Sequence, residues 1–378
     1  MTSPRMLLLR HFEVDPNVNG FTARYDVVAR SARSFAMVEQ ATIGPFGSGA
    51  TIEVDGVVFS TSRIGRVRRL QAACGLGGPF ARATKVLDKF VATKKVSVVL
   101  GCTYRTPELY GRVARRVATY VFIEERARAF GYGEPASPTI RSRVLATMER
   151  SGLRHLLGPV RGLAVIQLGE IAAAERRWKR PVSVIPHAIV EADVAGEPEA
   201  ALSVEVLTVG NFAERRNADG LRQCLSALRQ MTGSTSLSLA AISATGFAGE
   251  LDEFLQGAVE CRVGISRLGP SYASARVVLV PSFAISGSKT TILQGWAARR
   301  PVVTTQAAAT SVGAVHGVDV LIGESGEELV ALCFTLLHDA EMAERIVAGG
   351  AISLGLRHSE RAVATALKSM LGSDWEKK

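Results

Sequence analysis

Cationic side chains lie just after two predicted strands in the second half of the chain. Arg215 and Arg216 follow the apolar run Val204–Gly210, and Lys289 follows the apolar run Val277–Pro281. Guanidinium and ammonium groups beside a helix N-terminus suit a diphosphate, because the side chains and the helix amides all favour negative charge. These two segments therefore predict a binding site for a phosphorylated ligand. The alternative is a pair of ordinary exposed surface segments.

The second segment also contains small residues. Ser286, Gly287 and Ser288 directly precede Lys289, at the start of a predicted helix. Small side chains leave backbone N–H groups accessible, so we expect this turn to donate hydrogen bonds to a phosphate while Lys289 adds a positive charge.

A weaker signal follows the first predicted strand, Met6–Phe12. Gly20 lies between this strand and a predicted helix, where a glycine lets a ligand approach the backbone closely. His11 lies near the same loop, and Glu124 follows the predicted strand Tyr120–Ile123. His11 and Glu124 are our catalytic candidates for proton transfer, although both residue types also serve structural roles.

Short apolar runs alternate with helical patterns along most of the chain. Near-continuous apolar strands separated by helices are typical of parallel sheets covered on both faces. In contrast, Asp55-Gly56 between alternating residues at 51–60 predicts an antiparallel hairpin. The predicted buried strands are Met6–Phe12, Val96–Gly101, Tyr120–Ile123, Leu163–Gln167, Val182–Pro186, Val204–Gly210, Leu237–Ile242, Val277–Pro281, Pro301–Thr304 and Val318–Ile322.

A polar stretch near residues 187–204 separates two α/β blocks of similar size. The chain has 378 residues, which is enough for two domains of about 150 to 200 residues each. We therefore predict an α/β protein with two Rossmann-like domains that face each other across a cleft. The predicted boundaries are 1–188 and 189–355, and a final helix within 356–378 is expected to pack back on the first domain.

Positive charge is concentrated in residues 61–130. This segment holds 15 basic and 4 acidic residues, a balance of +11, whereas the whole chain carries a net charge of +10. Such a segment attracts anionic partners such as a membrane surface or a phosphorylated substrate, and the alternative is a solvated face. Aromatic residues make up 6% of the chain, and no recognised binding motif indicates a nucleic-acid partner.

The composition excludes several classes of protein. Hydrophobic residues make up 47% of the chain and charged residues 21%, as in a globular protein. No apolar run reaches the roughly 18 residues of a membrane span, and the apolar stretch near the start is too short for a secretory signal. Five widely spaced cysteines without a CxxC argue against a disulfide framework and a zinc site. We expect a cytoplasmic protein without a bound metal.

Two stretches together resemble the carboxyl-terminal domain of GT-B fold glycosyltransferases, and glycosyltransferase family 4 in particular. That family typically shows VGR…KN after the first strand of this domain. Later it shows PS…EGFGxxxLEAMAxGxPVVxT or, in one branch, GSGxKxKxLEAMA. This chain has TVGNFAERRN at 208–217 and PSFAISGSKTTILQGWAARRPVVTT at 281–305. The segment VSVIPH at 182–187 is similar to the family's VxVIPNG.

The resemblance implies a retaining transferase that uses a nucleotide-diphosphate sugar, with the donor on the second domain and no metal or cofactor. Arg216 stands at the position of the family's phosphate-binding lysine, and Lys289 matches the lysine of the GSGxK branch. Asn211 replaces the usual arginine. The usual pair of glutamates falls on Ser286 and Gln294, so an amide occupies the position that normally binds the ribose hydroxyls of the donor.

The missing glutamates leave several functions open. The favoured hypothesis is a hexosyltransferase of bacterial glycan or glycoconjugate synthesis that acts on an unknown acceptor, for which a lipid-linked molecule is one candidate. Enzymes of this architecture that use such acceptors often dock on anionic membranes through a basic first domain, which implies contact through residues 61–130 at the inner membrane face. The rivals are a catalytically silent binding protein of the same fold and a nucleotide-sugar epimerase.

Overall fold

The computed structural model describes 16 parts of the chain, and these parts fall into two compact units. One unit combines Met1–Pro186 with Val363–Lys378, and the other comprises His187–Ala362. The described residues are 4–11, 20–43, 51–54, 57–60, 81–101, 110, 113–122, 158–167, 170–189, 194, 204–230, 237–243, 246–251, 259–264, 268–283 and 288–374.

The first unit contains a mixed sheet of eight strands. Its strand order is β4-β3-β2-β1-β5-β6-β7-β8, and all neighbours from β2 through β8 run parallel. The elements are β1 (Arg5–His11), α1 (Gly20–Arg33), β2 (Met37–Ile43), β3 (Thr51–Val54), β4 (Val57–Ser60), α2 (Ala81–Thr93), β5 (Val98–Gly101), β6 (Ala118–Phe122), β7 (Gly162–Val165), α3 (Ile171–Trp178) and β8 (Val182–Val184).

The central strands of this sheet are buried over most of their described length. β5 and β7 are buried at every residue, and Met6 to Leu9 of β1 are at most 1% exposed. Such strands have a core face on each side, which explains why they appear in the sequence as unbroken apolar runs.

The predicted hairpin is confirmed. β3 pairs antiparallel with β4, with Thr51 opposite Ser60 and Val54 opposite Val57. This register leaves two residues for the turn, as the Asp55-Gly56 signal requires, although those two residues lie outside the described part of the chain.

The second unit contains a parallel sheet of six strands in the order β11-β10-β9-β12-β13-β14. Numbered within the unit, this is the 3-2-1-4-5-6 order of a Rossmann sheet. The elements are β9 (Val204–Gly210), α4 (Arg215–Gln230), β10 (Leu239–Ser243), β11 (Val259–Val263), α5 (Gly269–Ser274), β12 (Ala275–Val280), α6 (Thr290–Ala297), β13 (Val302–Thr304), α7 (Gln306–Val312), β14 (Leu321–Ile322), α8 (Gly326–His338), α9 (Ala340–Arg357) and α10 (Glu360–Leu371).

All ten predicted strands are present, with ends that shift by a few residues, although β8 is half-buried and not buried as predicted. Together with the parallel pairing, they confirm the predicted α/β fold class. The prediction missed β2 and β11. Both contain charged residues, Glu39 in β2 and Glu260 and Arg262 in β11, so neither appears as a continuous apolar run.

The last helix connects the two units along the chain. Ser359 caps α10, since its Oγ accepts a hydrogen bond from the Ala362 amide at 3.2 Å. After the helix, the Tyr120 hydroxyl of the first unit donates to Asp374 Oδ2 at 2.8 Å. Burial is the larger cause that raises the pKa of Tyr120, and this hydrogen bond is the next largest. The hydroxyl therefore stays protonated. Val363–Lys378 accordingly group with the first unit, whereas α9 groups with the second.

A buried carboxylate fixes α6 and α9 in the second unit. Asp319 is 1% exposed. Its Oδ1 accepts from the Val315 amide at 2.7 Å, and its Oδ2 accepts from Ser353 Oγ at 2.6 Å and from the Arg357 guanidinium at 2.8 Å. The Trp296 indole on α6 donates to the Asp319 carbonyl at 2.8 Å. The charges of Asp319 and Arg357 therefore compensate each other. The Trp296 indole anchors α6 to the backbone of the same aspartate.

No helix among the described residues is long and apolar enough to cross a membrane.

Candidate functional site

The second sheet has its topological switch point between β9 and β12. The two strands are neighbours, and the chain leaves them toward opposite sides of the sheet, β9 toward β10 and β12 toward β13. In such sheets the crevice outside the carboxyl ends of these strands is where ligands bind. Gly210 ends β9 and Val280 ends β12, so both cationic segments singled out in the sequence begin at this point.

The first segment forms a tight turn and then α4. The carbonyl of Asn211 accepts hydrogen bonds from the Glu214 amide at 3.2 Å and from Asn217 Nδ2 at 3.0 Å. Helix α4 begins at Arg215. The Arg215 side chain is exposed in the first turn. Arg216 follows in the same turn, and its side chain is outside the described part of the structure.

Two close contacts bring α4 and α6 to the switch point. A Cβ atom on Gly220 would overlap the carbonyl oxygen of Pro281, so α4 packs directly on the backbone that follows β12. Thr291 Oγ1, in the first turn of α6, lies 3.4 Å from the carbonyl oxygen of Val209 in β9. Lys289, at the N-cap of α6, is thereby placed beside the end of β9.

Backbone amides at the start of α6 are used within the protein. The amide of Lys289 donates to Ser311 Oγ at 3.1 Å, and the amide of Thr290 donates to the Ser288 carbonyl at 3.0 Å. The predicted phosphate donors are the amides of the preceding residues, Ser286, Gly287 and Ser288, and that role stays a prediction. The half-buried Lys289 side chain is then the described group of this turn that carries positive charge. Ser286 and Gly287 lie outside the described residues.

Gln294, on α6, is anchored by a buried tyrosine. Its Oε1 accepts a hydrogen bond from the hydroxyl of Tyr272 at 3.0 Å. Tyr272 is fully buried, and burial raises the pKa of its hydroxyl, so this hydroxyl remains a donor. One lone pair of the amide oxygen is therefore engaged inside the protein, and Gln294 can offer a ligand hydroxyl the Nε2 donor and the second lone pair. Sequence reasoning did not single out Tyr272.

Aromatic packing supports the loop after β9. The Phe212 amide donates to Ser243 Oγ, at the end of β10, at 3.1 Å. The Phe212 ring stacks on Phe247, with ring centroids 5.9 Å apart and planes within 7°. These contacts fix the loop between Gly210 and α4. In the sequence, the signal that could have indicated these contacts was the phenylalanine directly after Gly210-Asn211.

Two of the candidates in the first unit, His11 and Gly20, lie in the elements around the switch point of its own sheet. There β1 lies between β2 and β5. His11 is the last residue of β1 and Gly20 is the first residue of α1. The His11 side chain, the loop between these two residues and Glu124 are outside the described part of the chain, so their catalytic roles stay predictions.

Sequence reasoning missed a buried cation in the first unit. Arg24, on α1, is 3% exposed, and its guanidinium lies 4.7 Å from the ring centroid of Phe122 at the end of β6. The same group donates to the carbonyl of Ile185, after β8, at 3.3 Å. Arg24 thus holds α1 against the carboxyl ends of two strands. In the sequence, the available signal for its burial was its spacing with Tyr25 and Val28, which lie on the buried side of α1.

The described residues contain no group of three or more His, Cys, Asp or Glu side chains that could hold a metal ion.

Comparison with known proteins finds similarity to glycosyltransferases in sequence over part of the chain and in fold over nearly all of it. Residues 203–339 match the family model described as "Glycosyl transferases group 1". No curated protein sequence matches the chain significantly. The matched segment contains both loops at the switch point of the second sheet, together with Gln294.

Solved structures match over nearly the whole chain. Sucrose-phosphate synthase from Thermosynechococcus elongatus superposes with a TM-score of 0.67 at 13% identity, covering 97% of this chain and 98% of that one. HepE from Anabaena, crystallised with UDP, gives 0.66 at 13% identity, with 97% and 100% covered. Trehalose-6-phosphate synthase from Burkholderia multivorans gives 0.66 at 11% identity, with 98% and 96% covered. The predicted resemblance is therefore confirmed: the protein has the two-domain α/β fold of GT-B glycosyltransferases, and its residues 203–339 match their group 1 family.

Proposed function

We propose that the protein transfers a sugar from a nucleotide-diphosphate sugar to an acceptor, with retention at the anomeric carbon. The observation that carries the proposal is the position of Lys289. It lies at the N-cap of α6, beside the end of β9, within the segment that matches the glycosyltransferase family. HepE is described in complex with UDP and with UDP-glucose, which supports a uridine nucleotide as the first donor to test.

The chemistry requires that negative charge on the leaving diphosphate be stabilised. Lys289 supplies a point charge at one side of the switch point, and Arg215 and Arg216 begin α4 at the other. A helix N-terminus favours anions within its first turn. Cationic groups fixed before the reaction stabilise the charge that develops in the transition state. The proposal therefore assigns to these side chains the role that a divalent metal ion plays in other transferases.

Gln294 sets how the donor ribose is recognised in this proposal. A carboxylate would accept hydrogen bonds from two hydroxyls, whereas the Gln294 oxygen already accepts from Tyr272. Nε2 then donates to a ribose oxygen, which is a neutral contact. We expect weaker discrimination of the ribose than a carboxylate would give, because hydrogen bonds to charged groups are stronger.

The second candidate function is binding without turnover. It is favoured by Ser286 and Gln294, which replace the two glutamates that the family pattern carries. Incubation with UDP-glucose and other nucleotide sugars, followed by chromatography of the nucleotide, separates the candidates. Release of UDP without acceptor supports the transferase, and nucleotide binding without turnover supports the silent protein. Interconversion of one nucleotide sugar into its epimer supports the epimerase.

Replacing Lys289 with alanine is expected to weaken UDP binding by about 10- to 100-fold, because one charge-assisted contact contributes roughly 1.5 to 3 kcal/mol. Isothermal titration calorimetry of the full chain with UDP measures the change. Arg345→Ala is the matched control. It also removes one positive charge from the second unit, at an exposed i,i+4 pair with Glu341 on α9, and should leave the affinity unchanged. Equal affinities of Lys289→Ala and the parent would contradict the proposed donor site.

We further propose that residues 61–130 bring a cytoplasmic enzyme to an anionic membrane surface, where a lipid-linked acceptor would be found. Lys89, Lys95, Arg115 and Arg116 are exposed in the described part of this segment, which supports the proposal. Basic residues near such a surface contribute about 1 kcal/mol each.

Vesicles with 30% anionic phospholipid are expected to carry the protein in flotation at low salt, and neutral vesicles are not. Replacing Lys89, Lys95, Arg115 and Arg116 together with glutamine should reduce the bound fraction strongly. Salt near 0.5 M should release the parent protein, because exposed charges are screened. Retention that is equal on neutral and anionic vesicles would sink the membrane proposal and leave the donor site untouched.

A further inference from the structure

A basic groove lies at the amino ends of strands in the second sheet. It has a volume of about 540 Å³, within the roughly 300 to 1,000 Å³ of small-molecule pockets. Two of the residues that line the groove are Arg276, near the amino end of β12, and Pro301, which directly precedes β13. The carboxyl ends of these strands carry the proposed donor site. We call this cavity the Arg groove; its lining includes Arg276, Arg299, Arg300, Leu337, Ala343 and Val347.

Arg300 is fixed in the Arg groove without being neutralised by its contacts. Its Nε donates to the carbonyl of Tyr272 at 3.1 Å, and its terminal nitrogen donates to the carbonyl of Ala273. Both acceptors are neutral, so they orient the guanidinium and leave its charge in place. Burial lowers the pKa of Arg300, which is the direction expected for a cation removed from water.

Arg299 occupies a backbone position that favours glycine. It has φ of +56° directly after α6. The Arg300 amide donates to the Gly295 carbonyl at 2.9 Å, and the Arg299 amide donates to the Trp296 carbonyl at 3.0 Å. This is a Schellman ending, whose left-handed residue is usually glycine. The family pattern LEAMAxGxPVVxT has glycine at this same position. An arginine here gains nothing for the backbone, which suggests a use for its side chain.

The remaining walls combine a third arginine with apolar surface. A terminal nitrogen of Arg276 donates to the Leu337 carbonyl at 2.7 Å, and another lies 3.9 Å from Glu205 Oε1. Glu344 also lines the groove, so the three guanidiniums outnumber the carboxylate among the lining residues. Ala343 and Val347 lie one turn apart on α9 and give the groove an apolar side.

We propose that the Arg groove binds a phosphomonoester of an apolar alcohol. The phosphate is held by Arg299 and Arg300, because guanidinium groups match phosphate oxygens in pairs. The apolar chain lies along Ala343 and Val347 on α9. A soluble metabolite and a lipid headgroup share this chemistry. This ligand is separate from the donor, since the groove lies at the amino ends of the strands whose carboxyl ends carry the proposed donor site.

The probe is octyl phosphate below its micellar concentration, titrated calorimetrically into the full chain saturated with UDP. We expect binding that is tighter than that of inorganic phosphate, because the octyl chain gains apolar contact. Arg299→Gly should weaken octyl phosphate binding by at least about tenfold, since a charge-assisted contact is lost. Ala348→Glu, at an exposed lining residue of α9, should also weaken binding by adding negative charge.

The matched control is Lys179→Gly. Lys179 is also a cationic residue in the left-handed region after a helix, with φ of +51°, but it lies in the first unit. This variant should bind octyl phosphate like the parent. Affinity unchanged by both Arg299→Gly and Ala348→Glu overturns the proposal, and so does displacement of octyl phosphate by UDP. If octyl phosphate and inorganic phosphate bind with equal affinity, the proposed contact between the apolar chain and α9 is refuted. Binding to phosphatidic acid vesicles, with no binding of octyl phosphate in solution, marks a lipid headgroup as the source.

Discussion

Gly220→Ala is expected to lower the free energy of unfolding by about 3 kcal/mol, at the upper end of the cost of overpacking. The added methyl group would overlap the carbonyl oxygen of Pro281. A carbonyl fixed at the end of a central strand cannot rotate away as a flexible side chain would. Helix α4 must therefore shift outward and carry the turn from Asn211 to Arg215 with it. UDP binding should weaken together with stability, and calorimetric titration alongside chemical denaturation followed by far-ultraviolet circular dichroism measures both.

Gly355→Ala provides the control for the same chemical change in a helix. Nothing lies within 4 Å of the position of its Cβ atom on α9. Alanine is favoured over glycine in a helix interior by about 0.5 to 1 kcal/mol, so this variant should be slightly more stable than the parent and bind UDP equally. If Gly220→Ala were as stable as Gly355→Ala, the close packing of α4 on the end of β12 would be refuted.

Asp319→Ala is expected to destabilise the second unit by about 2 to 4 kcal/mol, because two donors lose a buried acceptor at a cost of about 1 to 3 kcal/mol each, whereas the Arg357 side chain, which is 40% exposed, stays in contact with water. Arg357 would lose its carboxylate, and the Val315 amide and the Ser353 hydroxyl would lose their acceptor. The loop before β14 and the end of α9 should therefore open together. Hydrogen exchange followed by mass spectrometry should show faster exchange in peptides covering 313–319 and 349–357.

Asp339→Ala is the matched control for Asp319→Ala. The Asp339 carboxylate caps α9 and accepts from the Met342 amide at 2.8 Å, but it lies at the helix end away from this network. Loss of a cap costs about 1 kcal/mol, and exchange near 313–319 should stay as in the parent. Equal losses for both variants would mean that the Asp319 network contributes no more than a cap.

The parallel core could be predicted from the sequence because its strands are buried on both faces. Leu7, Val99 and Leu163, in three different strands, are each fully buried, and such strands need apolar residues at every position. β11 lies at the edge of its sheet, and its Cys261 and Val263 are exposed or partly exposed. An edge strand with Glu260 and Arg262 lacks that pattern, so it was missed.

The candidate site was predictable only at the level of segments. The sequence placed Asn211 and Lys289 after strands, and parallel topology brings such segments to one edge. The partners of Lys289 and Gln294 come from elsewhere in the chain. Ser311 receives the Lys289 amide and Tyr272 holds Gln294, across 22 residues in each case. No local pattern encodes those pairs, because they depend on how neighbouring helices pack.

The bond between Tyr120 and Asp374 has a consequence for the order of events during synthesis. Tyr120 lies on a central strand of the first sheet, and its hydroxyl donates to a carboxylate that follows the whole second unit along the chain. Domains generally fold as they emerge from the ribosome, amino-terminal part first. Here the Tyr120 hydroxyl lacks this acceptor until the second unit has been synthesised. Completion of the first unit is therefore coupled to synthesis of the second.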